Sequence, residues 1–106
     1  MEFSYLSDVM RDVTLNKDAA RRLFGAEDAD AFHSLVADMR DAMFVGELPD
    51  EPIQTGQKDQ LLLRLRLGPG TYLEIEPLGS EAKAGNWRDA YRVKFLHIHR
   101  EGEVLA

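Results

Sequence analysis

The sequence predicts an α+β fold, in which three N-terminal helices are packed on a three- to four-stranded antiparallel sheet formed by the C-terminal half. Three observations predict it. Apolar residues recur at helical intervals before Gly46, they alternate with polar residues after Gln60, and the stretch between is rich in proline, glycine and polar side chains. With 106 residues the chain has the size of one domain. Its expected division is a helical layer over about 3–45, a connector over about 46–60 and a sheet over about 61–106.

The first helix is predicted over Phe3 to Leu15, where Leu6, Val9, Met10 and Val13 share one face and Ser4 or Ser7 can cap the start. A short second helix follows Asn16 as N-cap, carries Ala20, Leu23 and Phe24, and stops at Gly25. The third helix has the clearest pattern. Its acidic first turn (Glu27, Asp28, Asp30) suits the positive end of the helix dipole, and Phe32, Leu35, Val36, Met39 and Met43 form a stripe before Gly46. Pro49, Pro52 and Gly56 then break regular structure, and the connector reads as the seam between the layers.

Two alternating runs, Leu61 to Leu67 and Thr71 to Glu76, flank Gly68-Pro69-Gly70 and read as a hairpin. A three-residue loop opposes Leu67 with Thr71, Leu65 with Leu73, Leu63 with Ile75 and Arg64 with Glu74, so both faces agree chemically. Loops of two or four residues set leucines opposite glutamates. After a possible helical turn at Ser80 to Ala84 and an anchoring Trp87, a third strand runs over Ala90 to Arg100. Its apolar parity switches from Tyr91, Val93 and Phe95 to Leu96 and Ile98, which predicts a β-bulge near Phe95 that turns all five inward and His97 and His99 outward. The turn signal Glu101-Gly102 introduces a short fourth strand at Val104-Leu105. The expected core is Leu6, Val9, Met10, Val13, Leu23, Phe32, Leu35, Val36, Met39, Leu63, Leu65, Leu73, Ile75, Val93 and Phe95.

Apolar residues make up 44% and charged residues 30%, which suits a globular chain. The chain has no cysteine, so disulfides, thiolate nucleophiles and Cys-based zinc sites do not arise. Met1 to Asp8 lacks the basic and apolar regions of a secretory signal, no run approaches a membrane span, and a cytoplasmic location is expected. The formal charge of -6 divides into -7 over residues 1–60 and +1 over residues 61–106. An acidic helical half repels phosphate backbones and complements basic protein surfaces.

No cofactor and no metal set is nominated. His97 and His99 share a face, but two ligands do not make a metal site and the spacing names no third. His33 reads as a surface histidine amid Asp30, Asp38 and Asp41. The pairs Glu74/Glu76, Asp50/Glu51 and Asp28/Asp30 give no sign of a carboxyl held in a dry setting, and Glu74 and Glu76 read as cross-strand partners of arginines. Gly68-Pro69-Gly70 has no following Lys-Ser/Thr and is a turn rather than a phosphate loop. A winged-helix reading fails on the third helix, whose polar residues are mainly acidic instead of the Lys, Arg, Asn and Gln of a recognition helix.

Two functional readings result. The first is a non-catalytic protein-interaction module (adaptor, inhibitor or immunity-type factor) that presents Asp30, Asp38, Asp41, Glu47, Asp50 and Glu51 to a partner with a basic surface. The alternative is a small nucleic-acid-binding or RNA-processing factor using Arg64, Arg66, Tyr72, Arg92, Lys94, His97 and His99, with Arg88, Arg100, Trp87 and Tyr91 nearby. Net charge disfavours it. Gly85-Asn86-Trp87-Arg88 followed by Tyr91-Arg92-Val93-Lys94-Phe95 resembles the late sheet strands of small ribosome-dependent ribonuclease toxins of toxin–antitoxin systems. That resemblance implies RNA cleavage; the chain departs from it in its acidic balance and in showing neither a clear N-terminal strand nor a basic RNA groove. A homodimer formed through the edge of the third strand, or through Leu48 and Ile53, is the remaining arrangement considered.

Overall fold

Before Ser7 the chain is extended rather than helical. Phe3 and Tyr5 alternate with Glu2 and Ser4 in strand β1 (Glu2–Tyr5), and their rings lie 4.9 and 5.7 Å from that of Phe95. The structure is a computed structural model that describes residues 1–56, 60–79 and 85–106. The first helix is accordingly shorter than predicted, α1 (Asp8–Leu15), and Ser7 is its cap, with Oγ accepting from the Met10 N–H at 3.1 Å. Met10 and Val13 are buried while Leu6 and Val9 are exposed. Four residues of β1 are too few to outweigh, in sequence, the helical spacing that continues into them from α1.

Helix α2 (Lys17–Phe24) starts where predicted, with Asn16 Oδ1 accepting from the N–H groups of Asp18 and Ala19, and ends at Gly25. It buries Ala20 and Phe24, and Leu23 turns to solvent. Helix α3 (Ala26–Asp41) buries Ala29, Phe32, Val36 and Met39, with Leu35 half-buried beside them. Met43 lies beyond its end and is exposed, because the helix closes at Ala42, which adopts an extended conformation.

Among the described residues the sheet has six strands and is mixed, where three or four antiparallel strands were expected. Besides β1 it contains β2 (Ile53–Thr55), β3 (Leu62–Gly68), β4 (Thr71–Leu78), β5 (Arg92–Arg100) and β6 (Glu103–Val104). The order is β1-β5-β4-β3-β2, with β6 pairing β5 as well. Strand β1 runs parallel to β5, with Phe3 opposite Val93 and Tyr5 opposite Phe95. A long crossover permits this pairing, and the three helices supply part of it. Strand β5 therefore has β4 on one side and β1 followed by β6 on the other, so the edge expected to be free is paired within the chain. The described part of the connector and the residue before it carry regular structure that their composition does not suggest. They hold a 3-10 turn at Val45–Glu47 and strand β2, and they bury Val45, Leu48 and Pro52.

The hairpin register holds through Arg66. Leu63 faces Ile75, Arg64 faces Glu74, and Leu65 faces Leu73, but Thr71 faces Gly68, leaving Leu67 as an extra residue in a bulge and Pro69-Gly70 as the tip. A second bulge sits where predicted. Glu74 faces His97 while Ile75 faces Phe95, so Leu96 is the extra residue and the parity of β5 switches there. Val93, Phe95 and Ile98 enter the main core; Leu96 is buried outside it, and Tyr91 precedes the strand and is exposed. The possible turn at Ser80 to Ala84 lies outside the described residues.

All three helices lie on the face of the sheet that carries Leu63, Leu65, Leu73, Ile75, Val93 and Phe95, with Phe32 of α3 against Phe95 at 6.4 Å. Arg100 also belongs to this face, not to the basic set beside the histidines. Its NH2 group donates to Asp28 at 2.6 Å and to the Phe24 carbonyl at 2.5 Å, and Thr71 donates to the same Asp28 oxygen at 3.0 Å. Trp87 is buried in the core, within a 3-10 turn (Trp87–Asp89) whose following residue, Ala90, accepts from the Val45 N–H at 2.9 Å.

Candidate functional site

Helix α3 presents Ala31, Ser34, Leu35 and Asp38 at successive helical spacings, which places them on one stripe. That stripe forms one wall of a groove of about 700 Å3. Leu48, Pro49, Asp50, Glu51 and Ile53 of the connector and β2 form a second wall, and Arg64, Leu65 and Arg66 of β3 a third. The groove exists because β2 is short. It pairs with Leu62, Leu63 and Arg64, and among the described residues no strand lies beside Leu65 to Leu67 on that side. Pro52 has no N–H to donate and stops the ladder from continuing.

The structure divides the six acidic candidates. Asp38, Asp50 and Glu51 line the groove, brought together from α3 and the connector. Asp30 pairs with Arg21 at 3.0 Å on the surface, and Glu47 accepts from the N–H groups of Met43 and Phe44 at 2.7 and 2.6 Å, a local turn-closing role. Asp41 is exposed in the last turn of α3, outside the groove lining. Glu51 also pairs with Arg88, whose guanidinium lies 4.2 Å from the Trp87 ring centre. Asp38 and Asp50, and of the basic lining residues Arg66, have no ion pair among the described residues.

The seven residues of the alternative site share the opposite face of the sheet. Directly opposed residues point the same way, and the register joins Arg66 to Tyr72 and Tyr72 to His99, Arg64 to Glu74 and Glu74 to His97, with Lys94 opposite Glu76 and Arg92 opposite Leu78. Their centre is Glu74, which is 8% exposed and not a simple solvent-facing carboxylate. Arg64 Nε lies 3.5 Å from one of its oxygens and His99 Nε2 3.4 Å from the other. Both contacts are loose, and Arg64 Nε and His99 Nε2 have no hydrogen-bond partner among the described residues.

The histidines divide as well. His97 stacks edge-on against His99 with centroids 5.7 Å apart, and its Nδ1–H donates to the Ala106 carbonyl at 3.0 Å. His33 is half-buried and structural rather than superficial. Its Nε2–H donates to the Val13 carbonyl at 3.0 Å, tying α3 to α1, and its ring lies edge-on to Phe32. Among the described residues no three His, Asp or Glu side chains are grouped to hold a metal ion, and no helix is long and apolar enough to cross a membrane.

Sequence reasoning missed the groove. Its signal was present in the spacing of Ala31, Ser34, Leu35 and Asp38, a mixed stripe beside the core stripe, but the facing wall depends on where β2 stops. No family model, no curated protein and no solved structure matches the chain.

Proposed function

We propose that this chain is a non-catalytic protein-interaction module whose groove between α3, the connector and β3 receives a basic segment of a partner. One observation supports the reading above the others: folding brings Asp38 and Asp50, residues twelve apart in sequence, into the lining of one groove together with Leu35, Leu48 and Leu65. Apolar lining with a few convergent charges is the usual make-up of a recognition site. Carboxylates without internal partners attract cationic side chains and orient their approach.

The test is affinity capture with identification by mass spectrometry, run at low and high salt on the native chain and on Asp38→Lys/Asp50→Lys. Partners held by the native chain, released by salt and lost on charge reversal are the expected result. Capture that is indifferent to both salt and charge reversal overturns the reading.

A second reading, RNA binding or processing, draws support from the Arg64–Glu74–His99 contacts on the other face. A carboxylate, an imidazole and a guanidinium within reach of each other are the groups that acid–base chemistry on a phosphodiester employs. The acidic half of the chain and the neutralising Glu74 and Glu76 weigh against it. Titration with single-stranded RNA decides: binding that disappears in His97→Ala/His99→Ala favours this reading, and equal RNA affinity of both proteins, or none, removes it.

A further inference from the structure

Resting on the groove reading above, we propose that the occupant is an extended strand of alternating basic and apolar residues that adds to the edge of β3 at Leu65 to Leu67. The edge is the first ground. Strand β3 pairs with β4 on one side, interrupted at the Leu67 bulge, whereas β2 covers Leu62 to Arg64 on its other side and is cut short by Pro52. Beyond Arg64, Leu65 and Arg66 line the groove and have no strand beside them on that side among the described residues, and such an edge takes a further strand by main-chain hydrogen bonding.

Dimensions agree with an extended occupant. The stripe from Ala31 to Asp38 spans about 10 Å at the helical rise, which matches about three residues of a strand.

Charge complementarity fixes the composition. Asp38 and Leu35 lie on one wall, Asp50 and Leu48 on another, and Leu65 on the third. Of the two arginines in the lining, Arg64 is directed at Glu74, and Arg66 shares the face of Tyr72 on the far side of the sheet. With Glu51 paired to Arg88 and Arg64 to Glu74, the two aspartates without an ion pair outnumber the one such lining arginine, Arg66, among the described residues. Each of the two aspartate-bearing walls thus offers a carboxylate together with an apolar side chain, and a strand carrying both Lys or Arg and Val or Ile answers both.

The probe is a five-residue peptide of alternating lysine and valine with blocked ends, compared with the same peptide N-methylated at its central residue. Fluorescence anisotropy measures affinity, and amide hydrogen exchange follows Leu65, Arg66 and Leu67. Expected is salt-sensitive binding, slower exchange at those of the three amides that point away from β4, and an N-methylated peptide weaker by about tenfold, the loss of one or two hydrogen bonds. Asp38→Lys/Asp50→Lys abolishes binding of both peptides. If the two peptides bind equally and the amides are unaffected, strand addition is overturned while the acidic groove stands. If neither peptide binds, the groove reading and this inference fall together.

Discussion

Asp28 does more than sweeten the dipole of α3. Its Oδ2 accepts from Arg100 and from Thr71, and its Oδ1 approaches Gly68 so closely that a Cβ there would come within 2.6 Å. Glycine at 68 is therefore required by a close approach, and the carboxylate joins α3, β3, β4 and β5 at one point. Asp28→Ala leaves a half-buried guanidinium with the Phe24 carbonyl and a marginal Thr71 contact, and is expected to destabilise the chain by about 2–3 kcal/mol. Gly68→Ala is expected to cost about 1–3 kcal/mol through crowding, and much less in the Asp28→Ala background. Urea unfolding of the four proteins measures this. Additive losses would show that the two positions act independently. Nothing in the sequence reveals this pairing, because residues 28, 68, 71 and 100 meet only when the sheet and α3 are both in place.

At the scale of elements, short-range chemistry was readable and short strands were not. Asn16, Gly25, the hairpin register from Leu63 to Arg66 and the bulge beside Phe95 all follow from local rules, since a cap, a stop, a cross-strand match and a parity switch each involve neighbouring residues. Strands β1 and β2, of four and three residues, carry too little pattern of their own and exist because β5 and β3 offer them edges. The boundary between β1 and α1 gives a direct test. Ser7→Ala removes the cap and is expected to lower stability by about 1 kcal/mol, whereas Ser4→Ala, exposed within β1, changes it by less than about 0.5 kcal/mol. Equal effects would return the helix start to Ser4. Strand β1 also shields Phe95, so removing residues 1–5 bares the edge of β5 and is expected to produce association detectable by sedimentation.

Across the whole molecule the two faces of the sheet are chemically separate, helices and apolar core on one, Arg64, Glu74, His97 and His99 on the other, with the acidic groove at the β3 edge between them. Asp38→Lys/Asp50→Lys brings the formal charge of -6 to -2, relieves repulsion in the acidic half, and is expected to leave stability within about 0.5 kcal/mol while weakening basic partners. A large fall in the urea midpoint would mean that the two aspartates hold the fold rather than a ligand. The sequence by itself determined the helical and β halves, the charge division and most of the inward-facing residues, since periodicity and composition act locally along the chain. Tertiary structure decided the parallel β1, the fate of Arg100, His33 and Glu47, and the groove itself. Those depend on which distant backbone edges and side chains come within hydrogen-bond reach, and spacing along one strand or helix does not encode that.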